Sequence, residues 1–292
     1  MKITDPGIDT IHAATQGDLR AIDAVLSGIQ PGVFNLAVRM LGNRDDAADA
    51  TQEILLKVVT HLGGFRRESA FTTWVYQIAR NHLLTAITRT KESPEVSFEG
   101  IAERLEAGLV LGASLYEPGR TERALTPEDK VAARQVAMSC TQNMLMALDR
   151  EQRLVYVLDA VFGLSSKQAA EVIGISPEAY RQRLTRARIR LDAFTAESCG
   201  LANPAAACRC DKQLPALREL RRTQPIAPPT LFAIHRAERD VAKRQFDALV
   251  RMGDAASLFR AHPEYQAPES MRAAIRAVLR AEGYWGDDRP LQ

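Results

Sequence analysis

The chain has 292 residues, of which 46% are hydrophobic, 25% charged and 6% aromatic, and its net charge is +2. That is enough apolar material for two or three helical units with ordinary cores, and it argues against a disordered chain or a coiled-coil rod. So small a net charge excludes any inference of nucleic-acid binding from bulk charge, so such a claim must come from where the charges sit. No apolar run approaches the roughly 20 residues of a membrane span. The opening MKITDPGIDT carries acids where a secretory leader would carry cations and then an apolar stretch. The expectation is a cytoplasmic protein with no membrane partner. Four cysteines in so long a chain do not make a disulfide scaffold, and they point to reduced thiols or a metal site.

Residues 8–91 are dense in helical periodicity, with breaks expected at Pro31-Gly32, Gly42-Asn43 and Gly63-Gly64. Asp45, Asp46, Asp49 and Glu53 open a helix that continues into Ile54, Leu55, Leu56, Val58 and Val59. Asn43 or a neighbouring Asp is its cap, and acids in its first turn complement the helix dipole. A flexible basic loop follows, Gly63-Gly64-Phe65-Arg66-Arg67-Glu68-Ser69. The next helix puts Phe71, Trp74, Val75 and Ile78 on one apolar face, so Trp74 reads mainly as core. Tyr76, Arg80, Asn81, Thr85 and Thr88 fall toward the other side, where they could meet nucleic acid, and His82 reads as a boundary residue.

Residues 92–126 hold Ser93-Pro94, Gly100, Gly108, Gly112 and Pro118-Gly119 with weak periodicity, which reads as a linker. Strong helical patterning resumes over 127–197. Leu154, Val155, Leu158, Val161 and Phe162 recur at helical spacing, Gly163 stops that helix, and Ser165 or Ser166 caps the next. The next helix turns Ala169, Ala170, Val172 and Ile173 inward. Gly174-Ile175-Ser176-Pro177 has the length and chemistry of a helix-turn-helix turn: a glycine for a left-handed backbone, a core plug, a cap, and proline at the first helical position. The last helix is expected to bury Ala179, Leu184, Ala187 and Ile189 or Leu191, and to expose Glu178, Arg181, Gln182, Arg186 and Arg190. Short polar residues first and arginines after suit a helix in the major groove, with base edges read by its first turn and phosphates met by later cations.

Cys199, Cys208 and Cys210 then fall within a dozen residues. Two thiolates one residue apart can share a soft ion with a third from the same loop, completed by His235 or His262, so zinc or another soft metal is the candidate cofactor; incidental reduced thiols are the alternative. Cys140, inside an apolar helix, reads as core. After a Pro-rich connector (Pro225, Pro228, Pro229), Leu231, Phe232, Ile234, Val241, Phe246, Leu249, Val250, Leu258, Phe259, Ile275, Val278 and Leu279 forecast further amphipathic helices. Alternating strand patterns are absent, and the fold class is all-α, in modules.

DDAADATQEILLKVVTHLGGF, then ESAFTTWVYQIARNHLLTAITR, then LDREQRLVYVLDAVFGLSSKQAAEVIGISPEAYRQRLTRARIRL occur in that order. With them the chain resembles the extracytoplasmic-function group of bacterial RNA polymerase sigma factors, over about 8–91 and 127–195. The resemblance implies a region 2 domain (8–91) joined by a linker (92–126) to a region 4 helix-turn-helix domain (127–197), with 198–292 a further small helical domain. It implies that Asp46, Asp49, Gln52 and Glu53 dock on the clamp of the polymerase's largest subunit, region 4 meeting the flap of the second-largest. Arg66, Arg67, Arg80 and Asn81 would then meet the −10 promoter element, and Glu178, Tyr180, Arg181, Arg183 and Arg186 the −35 element. No cofactor is required by such a protein, core polymerase and promoter DNA are its partners, and a separate anti-sigma protein is a further candidate. The extension is expected to regulate in cis.

The alternative is an ordinary helix-turn-helix regulator whose C-terminal helices sense a metal or ligand. An enzyme is the poorest reading: there is no phosphate-cradling glycine loop, no HExxH and no credible Ser/His/Asp set.

Overall fold

The computed structural model describes residues 2–89, 96–115, 125–223, 255–260, 262–268, 270–281 and 283. Among them there is no strand, and one parallel bridge joins Cys199 to Cys208. The helices are α1 (Ile8–Thr15), α2 (Leu19–Leu41), α3 (Arg44–Thr60), α4 (Phe71–Arg89), α5 (Phe98–Ser114), α6 (Pro127–Met146), α7 (Arg150–Tyr156), α8 (Ser166–Ile173), α9 (Pro177–Ser198), α10 (Leu214–Thr223), α11 (Ala255–Arg260) and α12 (Ser270–Ala281). A π-turn, Val157–Val161, continues α7. The predicted Leu231, Phe232, Ile234, Val241, Phe246, Leu249 and Val250, and His235 with them, lie outside the described residues.

The chain divides into two compact units. The first comprises the described residues of 1–92, 157–183 and 263–292; the second comprises those of 93–156 and 184–262. The described residues of the extension fall in both units. The physical reason is that Met271, Ile275 and Leu279 of α12 are buried in the first unit, while Leu201, Cys210, Leu214 and Leu258 share a core with Ala133 and Ala137 of α6 in the second.

In the first unit α2 is the central helix. Asp18 caps it by accepting from the Ala21 N–H at 2.8 Å, and Ile22, Val25, Leu26, Ile29, Val33, Phe34 and Leu36 are buried against Ile54, Val58 and Val59 of α3 and Val75, Ala79 and Leu83 of α4. Each such side chain contributes roughly 1.5–3 kcal/mol on leaving water. By length and composition α2 would pass for a membrane span, contrary to the sequence-based expectation, and 72% of that apolar stretch is buried within the fold. Nor does it break at Pro31-Gly32. The N-terminal segment instead runs across it: the Thr4 N–H donates to Gly28 O at 3.0 Å, and a β-carbon on Gly32 would stand 2.6 Å from Ile3 Cγ1. Gly32 marks a close approach here, not a helix end.

Residues 263–268 and α12 form a strap across α2 and α3. Asn35, fully buried, donates from Nδ2 to Tyr265 O and accepts the Tyr265 N–H on Oδ1, both at 2.9 Å. Arg39 sits with its guanidinium 5.0 Å from the Tyr265 ring and donates to Asn35 O at 3.0 Å. Burial pulls its pKa down to about 10, a shift that Tyr265 and Glu264 oppose. Farther along, Arg272 donates to Ser27 Oγ at 2.9 Å and Arg276 pairs with Asp23.

In the second unit the expected linker holds a 17-residue helix, α5, capped by Ser97, whose hydroxyl accepts from the Gly100 N–H at 3.0 Å. The glycines that imitate a linker are contact points for α10 and the loop before it. A β-carbon on Gly108 would clash with Gln213 Oε1, and one on Gly112 would stand 3.0 Å from Lys212 O. Gln213 Nε2 donates to Leu105 O at 2.8 Å and closes the contact. Arg153 of α7, buried, donates to Leu145 O, Met146 O and Leu148 O at 2.9–3.0 Å and so satisfies the carbonyl end of α6.

Candidate nucleic-acid interface

The acidic helix start is built as its sequence dictates. Asn43 Oδ1 accepts from the Asp45 and Asp46 N–H groups at 2.8 and 3.3 Å. Asp46, Asp49 and Glu53 follow at i, i+3 and i+7, all exposed, with Gln52 half-buried beside them. Ala47, Ala50, Ile54 and Val58 face inward on the opposite side. Glu53 lies 3.8 Å from His82 Nδ1, and Lys57 Nζ lies 3.0 Å from the same nitrogen, so His82 joins α4 to α3. The acidic row is a solvent-exposed polar face.

Between α3 and α4 the basic loop is flexible in composition but anchored in structure. Phe65 packs on Phe71 at 5.5 Å and on Trp74 at 5.4 Å, and the latter two rings are 5.9 Å apart. This cluster makes Trp74 part of a half-buried seam and lifts Arg66 and Arg67 into solvent. Arg67 has φ 61°, the left-handed region that a side chain adopts only at a cost of about 1 kcal/mol or more.

On α4, Asn81 and Thr85 are exposed and Arg80 is half-buried, donating from Nη1 to Asn81 Oδ1 at 3.1 Å. The Thr88 side chain lies outside the described residues. Tyr76 does not face solvent as expected. It is buried, its ring meets Phe162 edge-on at 5.9 Å, its oxygen accepts from the Ile3 N–H at 3.5 Å, and burial pushes its pKa up. Helix α8 packs on this helix, and Gln77 Nε2 donates to Glu171 O at 3.1 Å.

The helix-turn-helix forms as its residues require. Ser165 and Gln168 make a reciprocal cap, Ala169, Ala170, Val172 and Ile173 are buried, Gly174 takes φ 74°, and the Ala179 N–H donates to Ser176 Oγ at 3.1 Å. Glu178, Arg181, Gln182 and Arg186 are exposed and Arg183 half-buried. Tyr180 corrects the expectation most sharply: its relative exposure is 0%, because it shares a stripe with Leu184, Ala187 and Leu191 at i, i+4, i+7 and i+11. It is a core residue and not a base contact. Of the alternatives at the far end Leu191 is buried and Ile189 is 61% exposed, and Arg190 is engaged with Gln152 Oε1 at 2.9 Å and the Phe98 ring at 5.3 Å.

All four cysteines are free thiols. Cys199 and Cys208 are half-buried and Cys210 is buried, and Cys140 of α6, read from the sequence as isolated core, joins them on one cavity of about 20 Å³. Burial, then the neighbouring thiols, pushes the Cys140 and Cys210 thiols up, and burial pushes up that of Cys208. His262, proposed from sequence as a ligand, is buried against Thr141 Oγ1 at 2.5 Å. Among the described residues no three His, Cys, Asp or Glu side chains are already gathered round one centre.

Two helical segments, one with an acidic face and a basic loop, the other a helix-turn-helix with an arginine face, define a sigma-70-type transcription protein, and comparison with known proteins agrees. The family description Sigma-70 region 2 matches residues 27–92, and Sigma-70, region 4 matches residues 138–191. The chain is 27% identical over 186 residues, 62% of its length and 90% of the relative's, to the RNA polymerase sigma-H factor of Pseudomonas aeruginosa. It is 27% identical over 178 residues, 61% of its length and 90% of the relative's, to the ECF RNA polymerase sigma factor SigW of Bacillus subtilis. Against the ECF RNA polymerase sigma-E factor of Haemophilus influenzae the figure is 28% over 191 residues, 64% of this chain and 93% of that one. The chain belongs to the extracytoplasmic-function group of the sigma-70 family. Residues 192–292 lie beyond both family segments.

Proposed function

We propose that the protein binds core RNA polymerase in the cytoplasm and gives it promoter specificity, without catalytic chemistry of its own. What carries this reading is that the two family segments hold the two presented faces: the acidic row on α3 and the arginine face of α9. Asp46, Asp49, Gln52 and Glu53 dock on the clamp of the largest subunit, and region 4 meets the flap of the second-largest. Arg66, Arg67, Arg80 and Asn81 engage the opened −10 element, where unstacking a base costs a few kcal/mol that cationic and stacking contacts offset. Glu178, Arg181, Arg183 and Arg186 read the −35 element in the major groove. The extension regulates in cis, a reading that its strap across α2 and α3 supports, and Cys199, Cys208 and Cys210 are its candidate soft-metal ligands.

Purified full-length protein mixed with core polymerase tests the main reading. Co-elution on gel filtration and new start sites on a genomic fragment library are expected. Failure to join the polymerase, with binding to duplex DNA alone, would replace it with an ordinary helix-turn-helix regulator.

A further inference from the structure

The four cysteines come from three separated stretches: Cys140 from the middle of α6, Cys199 from the end of α9, and Cys208 and Cys210 from the loop beyond. They are every cysteine in the chain, and all line the same cavity, whose walls otherwise include Leu105, Val136, Met144 and Leu258. The loop is shaped to deliver them. Gly200 N–H donates to Cys208 O at 2.9 Å, which pairs the two loop arms. Arg209 donates to Ala206 O and Pro204 O, each at 2.8 Å, and a β-carbon on Gly200 would strike its guanidinium. With Arg209 turned back onto its own loop, its neighbours in sequence, Cys208 and Cys210, both reach the cavity wall.

We infer that Cys140, Cys199, Cys208 and Cys210 form a four-thiolate site for one tetrahedral divalent cation of the zinc class, stapling α6 and the end of α9 to the extension. The ionisable donors on the cavity are all thiols, beside the hydroxyls of Thr141 and Ser198 and with no carboxylate or imidazole, which selects soft and borderline ions over calcium or magnesium. A cavity of about 20 Å³ accepts one ion of water size. The four sulfurs line the cavity without converging on a single point. Tetrahedral bonds of about 2.3 Å put sulfurs about 3.8 Å apart, so binding requires the cysteine side chains to move inward, and Cys208 Sγ to leave the hydrogen bond it now accepts from Gln213 Nε2 at 3.4 Å. Binding converts four thiols to thiolates and releases four protons. The centre then carries two net negative charges; Arg104 near Cys140 and Arg209 beside Cys208 oppose them, while Asp211, next to Cys210, adds to them. The site itself is independent of the promoter reading; its consequence, bracing region 4 against the extension, rests on it.

Cobalt(II) is the probe, titrated into reduced full-length protein, with zinc as competitor and metal content measured by mass spectrometry. The expected result is one ion per chain, strong thiolate-to-cobalt charge transfer and the intense ligand-field bands of a tetrahedral centre. Losing even an outer-shell partner costs a metal site about tenfold or more, so Cys140→Ser should bind at least that much more weakly, with diminished charge transfer and an unchanged far-UV spectrum. Cys208→Ser, on the loop, should lose binding equally and serves if Cys140→Ser does not fold. A wild-type chain that takes up no ion, or that forms disulfides instead, would overturn the inference. So would a Cys140→Ser protein with the parent's affinity and spectrum. The inference rests on the soft-metal ligands proposed above for the extension and not on the promoter reading. Initiation assays on the same samples report on the latter, so normal transcription from protein that binds no cation sinks the metal site and leaves the promoter reading standing.

Discussion

Helices α4 and α9 are the two elements read as promoter-facing, and they treat the same residue types differently. Both bury a tyrosine, Tyr76 and Tyr180. Helix α9 then presents Arg181 and Arg186 to solvent, whereas α4 keeps Arg80 half-buried, its Nε without a hydrogen-bond partner, and has Gln77 tied to α8. The lesson is that position on the helical stripe outranks residue type. Tyr76 lies on the line of Ala79 and Leu83, and Tyr180 on the line of Leu184, Ala187 and Leu191, so each ring is core although its chemistry suits a base. Helix α9 thus presents an arginine face to solvent, while α4, with α8 packed on it, presents Asn81 and Thr85.

The strongest way to break this contrast is Tyr180→Ala. If the ring is core, the substitution leaves a cavity and costs about 3–5 kcal/mol, seen as a large fall in the midpoint of denaturant unfolding, and promoter use fails with the fold. Tyr180→Phe should keep the −35 preference. Unchanged stability with altered base preference would instead return Tyr180 to the interface. Next in size is Arg181→Ala, which should leave stability alone and lose roughly 1–3 kcal/mol of discrimination at one −35 base pair, measured by initiation from a randomised −35 library. Asp49→Lys belongs with it: holoenzyme formation should fall at least about tenfold on reversing the charge of an exposed row, and normal holoenzyme would remove α3 from the docking surface.

What the sequence made legible follows from the range of the interactions. Caps, turns and apolar stripes act over three or four residues, so Gly174 and Ser176 could be placed and the caps of α3 and α8 narrowed to Asn43 or an adjacent Asp and to Ser165 or Ser166, of which Asn43 and Ser165 make the bonds. Glycine is ambiguous at that range. Gly108 and Gly112 read as a linker because nothing nearby in sequence says that Gln213 and Lys212 press on them. Pro31-Gly32 read as a break because Ile3, the residue lying against Gly32, is far away in the chain. The same distance hid Cys140 from the other three thiols, although its being the one remaining cysteine was itself a hint. The tyrosines differ: their stripe was visible, and a count of i, i+3 or i+4, and i+7 would have placed them.

The strap tests the cis regulation proposed for the extension. Asn35 makes both Tyr265 backbone bonds from full burial, so Asn35→Ala should cost about 1–3 kcal/mol by orphaning buried peptide groups. Limited proteolysis should then cut the strap sooner, and initiation should rise if the strap restrains the protein. Faster cutting with unchanged initiation would leave the strap a purely structural element.

The smallest effect is expected on the surface of the second unit. Asp129 closes the cap of α6 with Thr126 and pairs with Arg218 of α10. The Arg218 hydrogen bond first, then those of Thr126, hold its carboxyl down to about 2. A carboxyl lowered in the folded state stabilises the fold at pH above its ordinary value near 4, and that contribution is lost as pH falls from there toward 2. Because the Arg218 side chain is 61% exposed, screening keeps the pair within about 0–1 kcal/mol. Arg218→Ala should therefore lower the unfolding midpoint slightly at neutral pH and shrink the loss on acidification, with much of the remaining acid sensitivity belonging to the Thr126 cap. Arg222→Ala breaks the Glu219 pair within α10 itself, joins no two elements, and should leave both measurements where they were. Equal responses from the two variants would mean that α10 is not held to α6 by this contact.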